Sequence, residues 1–210
     1  MIQAAMRLVW MRAAAIWVAA PAWVSTWVLT WILLATDASA QPQRLSPADP
    51  QPKAEALQAG LAVRYAFPNS VKWLREAEGW RRYDPKPGTP LVGFDYPDSV
   101  PGEPVLTTNR PENVIAFIEG YIRFDTPGIW RIEFHSNDGL RVNIGGVEVY
   151  KHDGRHVCET LGWTEFEVPQ AGWYPVQATY FQRLNTACLM MRWAEPGGKM
   201  RWTRTDVYGH

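Results

Sequence analysis

The chain has 210 residues, and its 21 Lys+Arg balance its 21 Asp+Glu. That length holds one domain of ordinary size, or a domain with a segment outside the fold. Neutrality and the lack of a basic stripe speak against nucleic acid as a partner.

Residues 1–40 read as a targeting segment rather than part of the fold. Arg7 and Arg12 give a positive start, Ala13 to Thr36 is uncharged and largely apolar, and Ala38-Ser39-Ala40 is a small-x-small cleavage pattern before Gln41. This is the layout of a signal peptide. The apolar run exceeds the usual roughly 7–15 residues and is long enough to span a bilayer, so an uncleaved anchor is the alternative. Membrane association is expected only through this segment, if it stays uncleaved. Either way the remainder faces an extracytoplasmic compartment, periplasmic or secreted. Five of the 12 Trp fall in this segment.

Residues 41–59, rich in Pro, Gln and Ala, read as a linker, with a short helical turn from Ala54. Leu61 to Tyr65 alternates as a first strand. Val71, Leu74 and Ala77 have helical spacing. Tyr83 to Pro111 is dense in Pro and Gly and reads mostly as loop, with an extended piece at Gly93–Tyr96.

From Val114 the pattern is regular. Val114 to Phe124 is a long strand, with Gly120 marking a bulge or a close backbone approach. Trp130, Ile132 and Phe134 alternate with Arg131, Glu133 and His135; Leu140, Val142 and Ile144 alternate with Arg141 and Asn143. A period of two marks half-buried antiparallel strands. Thr126-Pro127-Gly128 and Asn137-Asp138-Gly139 have turn chemistry and read as tight hairpins. Val147 to Tyr150, Trp163 to Val168, Tyr174 to Tyr180 and Leu189 to Trp193 continue the series. Short strands at regular spacing indicate an all-β antiparallel sandwich or barrel over 60–204, preceded by an N-terminal signal helix, with 205–210 as a tail.

Cys158 and Cys188, the two cysteines, pair if their strand-like regions are neighbours in an oxidising compartment; two separate buried thiols are the alternative. His152, Asp153 and His156 suggest a metal, but His-x-x-x-His puts both rings on one face only in a helix, and Gly154 indicates a loop. Trp163, Trp173 and Trp80 suit sugar stacking if exposed and core packing if not, and Trp163 follows a loop-like Leu161-Gly162. No nucleophile–base pair, phosphate loop or paired-carboxylate motif is recognisable, which points to a non-enzymatic protein.

The order of motifs resembles the PA-fourteen domain, named after the protective antigen of a bacterial toxin and found in flocculins, adhesins and some glycosidases. The resemblance rests on Pro127-Gly128-Ile129-Trp130, Ser136-Asn137-Asp138-Gly139, Ile144-Gly145-Gly146, Ala171-Gly172-Trp173-Tyr174-Pro175-Val176, Tyr180-Phe181 and Ala187 to Trp193. It covers roughly Gly60 to Arg204 and implies an antiparallel β-sandwich. In sugar-binding members two consecutive Asp residues before the glycine bind Ca2+, an Asn from the loop before the last strand completes the site, and the ion ligates sugar hydroxyls. The matching positions are Asn137, Asp138 and Asn185. Asn at the first position still offers a carbonyl oxygen but removes one negative charge, so affinity should fall. The resemblance implies a lectin-like module with a glycan or cell-envelope partner and Asp138 and Asn185 as ligand-binding residues; Trp163 joins them on its own stacking chemistry. The other reading is a structural or protein-interaction domain in which Asn137-Asp138-Gly139 merely shapes a turn.

Overall fold

The computed structural model describes residues 41–210; the expected signal segment lies outside them. In chain order the strands are β1 (Gln43–Arg44), β2 (Ala62–Ala66), β3 (Lys86–Pro87), β4 (Asp95–Tyr96), β5 (Val114–Phe124), β6 (Gly128–Asn137), β7 (Leu140–Ile144), β8 (Val147–His152), β9 (Trp163–Val168), β10 (Gly172–Gln182), β11 (Cys188–Ala194), β12 (Arg201–Trp202) and β13 (Tyr208–Gly209). Among the described residues one helix, α1 (Leu74–Gly79), and three short 3-10 turns accompany them. The strands form two sheets. One runs β1-β9-β6-β11-β12, with β4 also on β11; the other runs β3-β2-β5-β10-β7-β8, with β13 on β5. All pairings are antiparallel except β1 on β9.

The core lies between the sheets and follows the alternation in the sequence. Trp130, Ile132 and Phe134 meet Leu140, Val142, Ile144, Tyr174, Val176, Tyr180, Leu189, Met191 and Trp193 in one cluster. Removing this much apolar surface from water is the main drive to fold. Alternation fails over Val114–Ile118, where every residue is buried. There the second face of β5 is covered by α1 and the segment before it: Val71, Leu74 and Ala77 pack on Ile115, Phe117 and Phe181. Gly120 marks a close approach, since a Cβ there would lie 2.6 Å from the Gly209 carbonyl oxygen.

Three expectations are corrected. The turns at 125–127 and 138–139 are not hairpins, because β5 and β7 belong to one sheet and β6 to the other. Both carry the chain across the sandwich; Gly145-Gly146, between β7 and β8, is the hairpin that the sequence indicates. The expected linker is packed against the domain. Leu45 is buried, Ser46 N–H donates to Gly145 O at 2.9 Å, and the Gln51 amide bonds both the N–H and the C=O of Trp173. The expected tail supplies β13 and buries Val207 and Tyr208.

A candidate site where four crossings meet

Four connections cross between the sheets at the same end of the sandwich: 97–113, 138–139, 153–162 and 183–187. Asp138 ties three of them together. Its Oδ1 accepts the backbone N–H of His156 at 3.1 Å, and its Oδ2 accepts that of Arg183 at 2.8 Å. Its own N–H donates to Phe181 O at 3.1 Å, and Phe181 N–H donates to Gly139 O at 2.9 Å. Residue 139 must be glycine, because a Cβ would lie 2.3 Å from the Phe181 ring. The fourth connection joins through Ser99 N–H to Ala187 O at 3.0 Å and Asn113 N–H to Arg183 O at 3.0 Å.

Asn137 sits at the end of β6, linked to Asp138 by a cis peptide bond. Its amide nitrogen donates to Thr186 Oγ1 at 2.8 Å, which turns Oδ1 the other way. The Tyr180 hydroxyl donates to the Asn137 carbonyl; burial, and next the Asp138 charge, hold that phenol far above its ordinary pKa. Asn137 and Asp138 are therefore bonded to the residues on both sides of Asn185. Asn185 itself is exposed, with left-handed backbone (φ 70°). The structure thus brings Asn137, Asp138 and the loop of Asn185 together.

Asp138 is only 4% exposed and, among the described residues, has no ion-pair partner. Burial raises its pKa, and the two N–H bonds and the charges of His156 and Arg155 offset this only in part. A buried carboxylate without a cationic partner is of a kind that suits a hard cation. The two N–H donors occupy one lone pair on each oxygen and leave others.

Trp163 is not at this corner. It begins β9 on the outer face of its sheet, 51% exposed. Register places it in line with Glu133 on β6, Arg192 on β11 and Trp202 on β12, which is 52% exposed. Arg192 and Glu133 pair at 3.4 Å, while the Arg131 and Arg192 guanidinium groups lie 5.3 and 5.5 Å over Trp163 and Trp202. The row therefore has two half-exposed indoles, each with a guanidinium over its ring, and a charged pair between them. Trp202 was not singled out by the sequence; its partnership with Trp163 appears only through the register of four strands. Trp173 is buried and Trp80 packs against the α1 cluster.

The cysteines form a disulfide, with Cα atoms 5.8 Å apart. Cys158 lies in the β8–β9 loop rather than in a strand, and Cys188 opens β11 directly opposite Asn137. The segment is a loop, as Gly154 indicates, yet it brings the two imidazoles together: His152 and His156 are stacked with centroids 3.6 Å apart. Burial, then His156, holds the His152 pKa below the usual histidine range.

No protein-family model matches the chain, and no curated protein shows significant sequence similarity to it. Solved structures do match by fold. The PA14 domain of the MpAFP antifreeze protein superposes with a TM-score of 0.62 at 12% identity, covering 75% of this chain and 93% of that one. The PA14 sugar-binding domain from an RTX adhesin gives 0.57 at 18% identity, covering 72% and 98%. The epithelial adhesin 9 A domain from Candida glabrata, in complex with Galβ1-3GlcNAc, gives 0.61 at 16% identity, covering 80% and 95%. At such identities the similarity is one of fold, and the fold of this chain is that of the PA14 domains.

Proposed function

We propose that the chain is a non-enzymatic, lectin-like carbohydrate-binding module of the cell envelope or cell surface. The observation that carries this reading is the convergence of three crossings on a buried carboxylate that has no ion-pair partner among the described residues. Similarity in fold to adhesin domains that bind sugars supports it. Asp138 and the Oδ1 of Asn137 would hold Ca2+, with Asn185 from the pinned loop completing the protein ligands. A bound calcium ion supplies open positions to which vicinal sugar hydroxyls coordinate. With one charge fewer than a paired-carboxylate site, binding is expected to be weak. The Trp163–Trp202 row is a second surface suited to a sugar, since indole faces stack on the C–H faces of pyranose rings. Export follows from residues 1–40, with cleavage after Ala40.

One observation favours the second reading, a structural or protein-interaction domain. Both Asp138 oxygens already accept backbone N–H groups, which gives the residue a structural task without any ion. A glycan array probed with the full chain in calcium and then in chelator separates the two. Calcium-dependent spots support the corner as the site, and calcium-independent spots point to the Trp row. A blank array in both buffers leaves the structural reading.

A further inference from the structure

We propose that His152, His156 and Glu159 form a binding site for a divalent transition metal of the zinc type, with at least one coordination position open. The site adjoins the candidate calcium corner but is separate in chemistry, and it does not depend on the carbohydrate reading.

The chain builds the cluster from three fixed points. His152 is the last residue of β8. The loop then turns at Asp153, whose Oδ1 accepts the N–H groups of Gly154 and Leu74, both at 2.7 Å. His156 is held by its backbone N–H on Asp138. Glu159 is held by reciprocal backbone bonds with Ser136, at 3.1 and 3.3 Å, next to the Cys158–Cys188 bond. A rigid loop of this kind does what a helix does for His-x-x-x-His: it brings both rings to one place.

The donors are close. One ligand atom from each of the three residues lies within 4.8 Å of the others. Glu159 Oε1 is 3.8 Å from His152 Nε2 and 3.9 Å from His156 Nδ1. A tetrahedral ion with bonds of about 2.1 Å needs ligand–ligand edges of about 3.4 Å. For the two edges to Glu159 the contraction required is about half an ångström, and Glu159, 47% exposed in its side chain, is free to make it. The rings, now stacked 3.6 Å apart and 7° from parallel, must swing out of the stack through a large angle before their in-plane lone pairs can converge on one ion.

The cluster is unsatisfied as it stands. His152 Nδ1 and His156 Nε2 are buried and have no hydrogen-bond partner. His156 Nδ1, the nitrogen that faces Glu159, also lies 3.0 Å from Val157 O, a contact it gives up on binding metal. Two imidazoles and one carboxylate select zinc-like ions over calcium, which takes oxygen ligands.

The test is calorimetric titration of ZnCl2 into the untagged full chain, stripped of metal, beside melting curves in zinc. We expect one zinc per chain and a melting rise of about 3–5 °C at tenfold excess over the dissociation constant. Glu159→Gln should weaken zinc at least tenfold while melting normally without metal. His152→Gln and His156→Gln should abolish the one-to-one isotherm and the intense visible absorption of bound Co2+. Millimolar calcium should not compete. Absence of a zinc-dependent shift in the wild type overturns the proposal, as does an isotherm unchanged in Glu159→Gln and both histidine variants.

Discussion

Cys188 stands directly across from Asn137 in the β6–β11 pair, so its bond to Cys158 clamps the β8–β9 loop onto the corner that carries Asp138. The bridge closes a loop of sequence separation 30. In the chain-entropy picture, its reduction costs on the order of 3–4 kcal/mol. Denaturant unfolding with and without reductant measures this. Two reactive thiols in unfolded, unreduced protein would refute the bridge. Because the clamp holds His156 and Glu159 as well as the corner, reduction should also weaken any ligand bound at this end before the core melts.

Trp163→Ala and Trp202→Ala should alter stability by no more than about 1 kcal/mol, because both indoles are half exposed and each loses chiefly a cation–π contact. If the row binds a glycan, each substitution should lower affinity several-fold, as read by titration with an oligosaccharide that scores on the array. An unchanged affinity in both variants assigns binding elsewhere.

What the sequence made legible is the inward alternation. Trp130, Ile132, Phe134, Leu140, Val142 and Ile144 are apolar at every second position because one face of each strand is buried. Which sheet a strand joins leaves no such trace. Asn137-Asp138-Gly139 has the same chemistry whether it closes a hairpin or crosses the sandwich, so the crossing was missed. The packing of 41–59 was hidden because it rests on one leucine and on backbone and amide bonds, in a composition that otherwise suits a linker. The corner was found through the resemblance at Asn137, Asp138 and Asn185. The meeting of His152 with His156 was not, since it depends on the path of a loop pinned by Asp153 to Leu74 and by His156 to Asp138, both contacts between residues distant in sequence.

Tyr65 gives a pH prediction. Burial pushes its phenol up to about 12, against weaker opposing bonds from Thr107. A raised acid pKa means that folding favours the neutral form, so this contribution is complete below about pH 10 and disappears as pH rises towards 12. Tyr65→Phe should cost about 1 kcal/mol at pH 7, where the hydroxyl bonds Thr107 Oγ1 at 2.7 Å. The difference between wild type and variant should shrink and then change sign between pH 10 and 12. Urea unfolding of both at pH 8 and pH 11 checks this, and a gap that stays constant would show that Tyr65 titrates normally.

The decisive prediction concerns Asn137 and Asp138. Asp138→Ala leaves the N–H groups of His156 and Arg183 without their acceptors, so it should cost about 2–4 kcal/mol even without calcium. Stability alone therefore cannot reveal an ion; the calcium-dependent part must be measured. Asn137→Asp places a second carboxylate beside a buried one, which should lower stability in chelator through like-charge repulsion. Thr186 Oγ1 can accept this change, since its hydroxyl turns to donate where it now accepts from the Asn137 amide. Added calcium should then stabilise Asn137→Asp more than wild type, because the ion gains a second charged oxygen. Asp138→Ala should show no calcium dependence at all. Melting curves of the three proteins in millimolar calcium and in chelator decide the matter: equal shifts of zero in wild type and Asn137→Asp would reduce the corner to a structural tie between loops.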